Sequence, residues 1–406
     1  MKLYQNKTFG SILLIAGTQI GAGMLALPIT TAKGGIFNST LLFILAFSYM
    51  LLTLFLLLEA NLYEQSYEAN IISMSKKRLG TIGQFIAWFS FLFLLYSVAA
   101  AYISAGGSLL APIIQGAIHH GNDNWGTLLF IIIFGTTVFF GAWLIDYINR
   151  ILMIGLIASY LTLLFFVIPH VDFTQISAGN PKYLLAAVPV VVLSFTSHII
   201  VPSLRAYLKN DIVQLKRALI IGSIVPLIFY IIWEMLILGV MPLKGEFGLA
   251  QIASGPHPVA SLAEALHSHL GLTWIAVGVG SFSFFALVTS FLGVILALMD
   301  FLADGFQIKK TLVGRALLFM ITIIPPLIFA LFYPSGFVLA LSYAGVFVAI
   351  LYGILPVMMI WKARYQEKIK APFQMPGGKV TLIISLVGAV IVILFQIAAS
   401  FEWLPK

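Results

Sequence analysis

Of the chain's 406 residues, 61% are hydrophobic and 9% charged, with a mean hydropathy of +1.06, more apolar surface than a water-soluble domain can hide. The net charge of +8 is carried by basic residues in short segments between apolar runs, which makes them topology signals rather than a nucleic-acid surface. With no cysteine, disulfides, thiolate catalysis and Cys-ligated metals are excluded.

Apolar runs long enough to span a bilayer fall near 9–31, 38–60, 82–110, 126–144, 151–169, 184–202, 218–241, 273–299, 312–332, 336–361 and 380–400. The segment before the first is short and polar and has no signal-peptide cleavage pattern, so that run is expected to stay as a helix. Eleven spans put the termini on opposite sides. With the N-terminus inside, eighteen Lys and Arg residues fall in cytoplasmic segments, and four (Lys33, Lys182, Lys244 and Lys406) fall outside. That asymmetry alternates segment by segment and sets the orientation. The connection 242–272 is the longest, and Pro258 to Leu270 is expected to form a short helix lying on the outer face.

The first span carries Gly17-Thr18-Gln19-Ile20-Gly21-Ala22-Gly23 at mid-depth. Three glycines in seven residues disfavour a continuous helix, and freed backbone groups are tolerated there only against protein, a ligand or an ion. Gly17 and Gly21 also fit a small-xxx-small packing motif. The polar Thr18 and Gln19 between them favour a site. If the helix unwinds from Thr18 to Gly23, its two half-helix ends attract a carboxylate and an ammonium or cation respectively. An amino acid zwitterion uses both.

The sixth span repeats the peculiarity: Ser194, Phe195, Thr196, Ser197 and His198 form a polar cluster between Pro189 and Pro202. Interrupted spans at corresponding positions of two five-span halves point to a transporter site. The halves would be about 9–169 and 184–361, with 380–400 added, in one transmembrane domain over 1–406. His198 is a candidate substrate contact or proton carrier, against the ordinary reading of a hydrogen-bonded structural histidine. In span eight, Thr289 and Ser290 stand one turn after Ala286, and hydroxyls in membrane helices commonly bond back to the preceding turn. Glu234 lies deepest of the acidic residues and is a functional hypothesis by its position. Glu59 and Asp300 are expected at the interface, paired with arginines or helix ends. Tyr96, Tyr102, Phe195, Phe284, Phe285 and Tyr343 are aromatic candidates for a side-chain pocket, Tyr102 and Phe285 foremost.

The stretches Ala16–Pro28, Leu58-Glu59-Ala60-Asn61, Asn149-Arg150, Ser194–Arg205, Thr289–Val294 and Asp300–Asp304 resemble the hydroxy and aromatic amino acid permease family of the amino acid–polyamine–organocation group. The resemblance extends over most of the chain and is nearest to bacterial tyrosine-specific permeases. It implies an all-α polytopic fold of eleven spans, a five-plus-five inverted repeat with spans one and six broken, and a cation-coupled importer of aromatic amino acids in a bacterial inner membrane. Proton coupling is what the family implies. Related symporters instead hold sodium with carbonyls that would fall at Gly17, Ile20 and Ala286 and hydroxyls at Thr289 and Ser290. Some proton-driven relatives place a lysine in span five, and this chain has none in Ile151–Pro169.

Other classes are less well served. A channel wants a continuous polar pore, whereas polar groups here cluster at mid-depth. An enzyme wants a nucleophile–base pair or a metal cluster; His119, His120 and Asp123 in one loop, and His257, His267 and His269 in another, signal a metal weakly. A tryptophan or serine transporter, or an amino acid sensor of the same fold, would use the same binding residues. No organic cofactor and no obligate protein partner are expected; the partners are an amino acid, its coupling ion and the lipid bilayer.

Overall fold

The computed structural model describes residues 7–21, 23–66, 69–118, 124–139, 142–172, 179–245, 247–255, 257–270, 273–309 and 311–405. All regular structure among them is helical. The helices are α1 (Lys7–Gln19), α2 (Gly23–Thr31), α3 (Gly35–Leu62), α4 (Ile71–Ile118), α5 (Asn124–Phe130), α6 (Thr136–Phe139), α7 (Ala142–Val167), α8 (Val188–Ser194), α9 (Val201–Tyr207), α10 (Ile212–Val240), α11 (Leu249–Ser254), α12 (Pro258–Leu270), α13 (Thr273–Gly305), α14 (Leu312–Phe332), α15 (Phe337–Val348), α16 (Leu355–Trp361) and α17 (Gly378–Ser400). Single wide turns join α5 to α6 and α15 to α16.

Nine helical stretches among the described residues are long and apolar enough to cross a membrane, and Asn124–Phe139 is a shorter apolar helix. Their outward faces are apolar: α14 exposes Leu317, Met320, Ile324 and Ile328, and α17 exposes Ile383, Val387, Val390 and Leu394. Stripes of this kind are stable against lipid and not against water.

Local chemistry sets the ends. Asp211 caps α10 by accepting from the backbone N–H groups of Val213 and Gln214, bonds that hold its carboxyl below the usual range, that from Gln214 foremost. Thr311 caps α14 through Gly314 N–H. Gly80, at φ 74°, separates a first stretch, 71–79, from the membrane part of α4, a conformation that glycine adopts without strain.

Two expectations need correction. α7 begins at Ala142, so Arg150 lies inside a helix rather than between two. Its long apolar stem lets it sit within a helix and reach the interface. Helix also begins at Ile71, well before the expected span three; Asn70 Oδ1 caps it through Ile72 and Ser73 N–H. The expected helix Pro258–Leu270 forms over those same residues.

α1 packs chiefly on α10, and α3 lies on the same helix. α13 packs on α7 and α4, and α15 packs on α4 and α8. α2 is enclosed by α8, α10, α11, α12 and residues 181–187, and seven of its nine residues are buried. On α1, by contrast, Leu13, Leu14, Gly17 and Thr18 are exposed.

The face that carries Lys7, Asp211 and Arg364, here the basic face, is tied by a buried ionic network. Arg364 grips the fully buried Glu59 through Nε (2.5 Å) and Nη2, and Glu59 also accepts from Met375 N–H (2.8 Å) and Tyr63 Oη (2.9 Å). Glu59 thus has the arginine partner expected of it. Arg205 donates to Asn61 O (2.6 Å) and Glu64 O (2.9 Å). Arg78 pairs with Glu64 and Glu367. The network joins α3, α4, α9 and the turn after α16.

Removing one partner of a buried pair strands the other charge. Arg364→Met is therefore expected to lower stability by about 3–5 kcal/mol, read as the denaturation midpoint in detergent. Lys379→Ala, which removes a cation from over Trp361, should cost less than about 1 kcal/mol.

Candidate functional site

The first interruption is shorter than the glycine pattern suggests. α1 runs through Thr18 and Gln19 and stops there; α2 resumes at Gly23. Thr18 keeps its hydroxyl on Leu14 O at 2.6 Å, which satisfies it within the helix. Only Ile20 and Gly21 of the described residues lie in the gap, and Ala22 lies outside them.

The second interruption follows α8. Phe195, Thr196 and Ser197 separate it from a short tight turn, His198–Ile200, that leads into α9. Pro189 and Pro202 sit in the first turns of α8 and α9, where a missing N–H costs nothing.

The two gaps abut. A Cβ on Gly23 would lie 2.9 Å from Ser194 Oγ, and one on Gly21 would lie 2.4 Å from Ser290 Oγ of α13. Glycine at both positions permits this approach. Gln19 turns its amide nitrogen to Ser197 Oγ (2.9 Å) and Ser223 Oγ (3.4 Å), while its Oε1 is buried without a partner.

The centrepiece is Tyr230 of α10. Its hydroxyl lies 2.6 Å from Gln19 O and 2.8 Å from Ser194 O. These are the last residues of α1 and α8, so both carbonyls lack the N–H that a continuous helix would supply. One hydroxyl hydrogen serves two half-helix C-termini, each partly negative. The tyrosine ring packs edge-on against Phe195, centroids 5.1 Å apart, and Phe195 meets Phe47 at 6.1 Å.

His198 is fully buried. Its Nε2 is 2.9 Å from Thr53 Oγ1, and its ring stacks on Tyr352 at 4.4 Å. Thr53 Oγ1 also lies 3.0 Å from Met50 O. Nδ1 is buried with no hydrogen-bond partner. Thr196 is half-buried, its hydroxyl 3.4 Å from Val192 O, and Ser194 bonds back to Val190 O at 2.9 Å.

The candidates in span eight divide. Ser290 meets both the first gap and the side chain of Tyr102 in α4. Thr289 bonds back to Phe285 O (2.8 Å) and Ala286 O (3.2 Å). Phe285 packs on Gly155 of α7 and Phe284 on Phe134. Gly17 faces Met153 of α7. Tyr96 bonds Ile321 O, and Tyr343 is exposed beside Ser400. Glu234 stands apart from the gaps, 2.5 Å from Thr31 Oγ1 at the far end of α2. His119, His120 and Asp123 lie outside the described residues, and among the described ones no group of three potential ligands gathers for a metal.

Sequence reasoning missed Tyr230, Thr53, Ser223 and Tyr352. A signal existed for two of them. Ser223, Tyr230 and Glu234 fall at i, i+7 and i+11, one polar stripe on an otherwise apolar span.

This arrangement defines an all-helical, multi-pass membrane protein whose two interrupted helices meet at their gaps. The chain matches the tryptophan/tyrosine permease family over residues 4–396, and it belongs to that family. It is 38% identical to "Tyrosine-specific transport system 1" of Haemophilus influenzae, over 98% of this chain and 99% of that protein. "Tyrosine-specific transport system 2" of the same organism is 33% identical over 99% of each. Its "Tryptophan-specific transport protein" is 32% identical, over 97% of this chain and 96% of that one. Its relatives are transporters and permeases rather than enzymes.

Tyr230→Phe keeps the ring and removes the hydrogen that Gln19 O and Ser194 O share. It is expected to cost about 1–3 kcal/mol in unfolding free energy. Tyr160→Phe, whose hydroxyl makes a longer bond to Phe229 O (3.3 Å), should cost less in the same assay.

Proposed function

We propose that this protein is a secondary active symporter that imports aromatic amino acids, tyrosine first among them, driven by a cation gradient. The observation that carries the reading is the meeting of two half-helix carbonyl ends at Tyr230. Two partial negative charges at mid-depth suit an ammonium, and the half-helices that resume at Gly23 and beyond His198 turn their positive ends toward the same region. The substrate would lie along Gln19, Gly21 and Gly23 on one side and Ser194–His198 on the other, with Ala22, Thr18, Tyr102 and Phe285 as the remaining candidates. The names of the tyrosine-specific and tryptophan-specific relatives support an aromatic side chain.

Eleven spans, with α1 and α2 forming span one and α8 and α9 span six, would place the basic face in the cytoplasm of a bacterial cell, N-terminus included, and the C-terminus outside. Span eight packs on span five as span three packs on span ten (α13 on α7, α4 on α15). That exchange is expected of two inverted halves, about 9–169 and 184–361, with 380–400 added. The enclosure of α2 and the exposure of Gly17 and Thr18 support an arrangement open toward the cytoplasm.

The coupling ion is read as a proton, carried by Glu234 or His198. A second reading, sodium, is favoured by Ser290 lying against Gly21; its oxygens would come from Gly17, Ile20, Ala286, Thr289 and Ser290.

Purified protein in liposomes, given labelled tyrosine under a pH gradient or a sodium gradient alone, tests both. Accumulation under the pH gradient alone is the expected result. A requirement for sodium would make Thr289 and Ser290 ion ligands instead. Binding without uptake would mark a sensor. Gly21→Leu, which drives a side chain into Ser290, should abolish uptake while the protein still inserts; normal transport by that variant would move the site elsewhere.

A further inference from the structure

The surroundings of Glu234 suit a carboxylic acid better than a carboxylate. The side chain is fully buried on α10. Its Oε1 lies 2.5 Å from Thr31 Oγ1, and that hydroxyl also lies 2.6 Å from Leu27 O. A carbonyl has no hydrogen to give, and a threonine hydroxyl has one. Leu27 O and the carboxyl thus compete for one hydrogen, and a protonated carboxyl, donating to Thr31 Oγ1, satisfies both contacts at once. Ser39, the other hydroxyl at the carboxyl, lies 3.2 Å from Thr31 O, where it donates. Glu234 Oε2 has no partner at all. A buried carboxylate with no cation beside it costs far more than a carboxylic acid in the same place.

The charged and titratable groups on the surrounding elements do not change this. Lys33, just past α2, lies over the Tyr183 ring. His170 bonds Phe166 O. Asp172 lies past the end of α10, its N–H on Gly239 O. α3 places Glu59 at its other end, against Arg364. Tyr230 is one turn away on α10 and bonds the two carbonyls of the site. Glu264 and His269 of α12 are exposed. Among the described residues none pairs with the Glu234 carboxyl.

We propose that Glu234 is the proton-binding site of this transporter, an assignment that rests on the symport reading above. α2 is the link. Thr31 at one end touches Glu234, and Gly23 at the other touches the second interruption at Ser194. Ionisation would demand donors for both carboxyl oxygens: the Thr31 hydroxyl would have to leave Leu27 O, and water would have to reach Oε2. Both require the cover of α11 over α2 to loosen. The covered state therefore keeps the proton and the uncovered state exchanges it with water on that face: hydronium gives its proton to the carboxylate, and water is left behind. Proton occupancy and the position of α2 thus become one equilibrium.

The test separates exchange from accumulation. Wild-type protein and Glu234→Gln are reconstituted in liposomes and assayed for tyrosine–tyrosine exchange and for tyrosine accumulation under an imposed pH gradient. Glutamine mimics the protonated acid, so exchange should persist and lose its pH dependence, while accumulation falls about tenfold or more. An infrared difference spectrum taken across the pH change should show a protonated-carboxyl C=O band that disappears in Glu234→Gln. Normal gradient-driven accumulation by the variant overturns the assignment. Loss of exchange together with accumulation gives Glu234 a purely structural role and overturns it equally. A wild type that ignores the pH gradient overturns proton coupling itself, whatever the variant does.

Discussion

Inside a hydrocarbon layer a peptide carbonyl released from its helix has no water to turn to, and that constraint shapes the centre of this protein. Gln19 O and Ser194 O are two such groups, and both find the same hydroxyl. Their shared partner fixes the distance between the half-helices and brings α10 into the site. Gly21 and Gly23 are needed because the gaps then lie too close to Ser290 and Ser194 for side chains. Gln19, Ser197 and Ser223 close a polar seam around the same point. The apolar remainder of the bundle holds this seam in place.

The apolar runs and their polar punctuation made the architecture legible. Hydropathy alone located the stretches that became α3, α10, α13, α14 and α17 within a few residues, because length and apolarity are what a bilayer selects. Gly17–Gly23 and Ser194–His198 marked the interruptions, because glycine clusters and polar runs at mid-depth have few other uses. The precise extent of the first gap was hidden: Thr18 and Gln19 have helix-compatible backbones, and only tertiary bonds to Ser197 and Ser223 decide that the helix continues to Gln19. The ends of α7 and α4 were misplaced for a related reason. Polar residues such as Arg150 can sit inside a helix when their stems are apolar, and a short helical stretch such as 71–79, set off by the kink at Gly80, has no long apolar run to announce it.

Side-chain destinations were harder still. Phe285 and Tyr102 lie on helices that both approach the centre, yet one ring fills a notch beside Gly155 and the other reaches Ser290. Rotation of a helix by one residue swings a side chain through about 100°, and nothing in an almost uniformly apolar sequence records that rotation. Tyr230 was the costliest omission, since one tyrosine among fifteen is unremarkable until its neighbours on the stripe are lined up.

The unequal enclosure of the two halves of span one has a mechanical consequence. α2 is clamped along its length, while α1 is held mainly on α10. α1 has thirteen residues and is therefore about 20 Å long. Were it to pivot at Ile20 and Gly21, it would be a long arm on a short hinge, and a slight turn at the gap would become a wide sweep at Lys7. The bonds of Lys7 to Tyr207 O and of Thr8 to Gln214 Oε1 lie at the tip of that arm, where a weak contact has the greatest leverage. Any swing of α1 would therefore be resisted first at its tip, by two modest polar latches on the basic face.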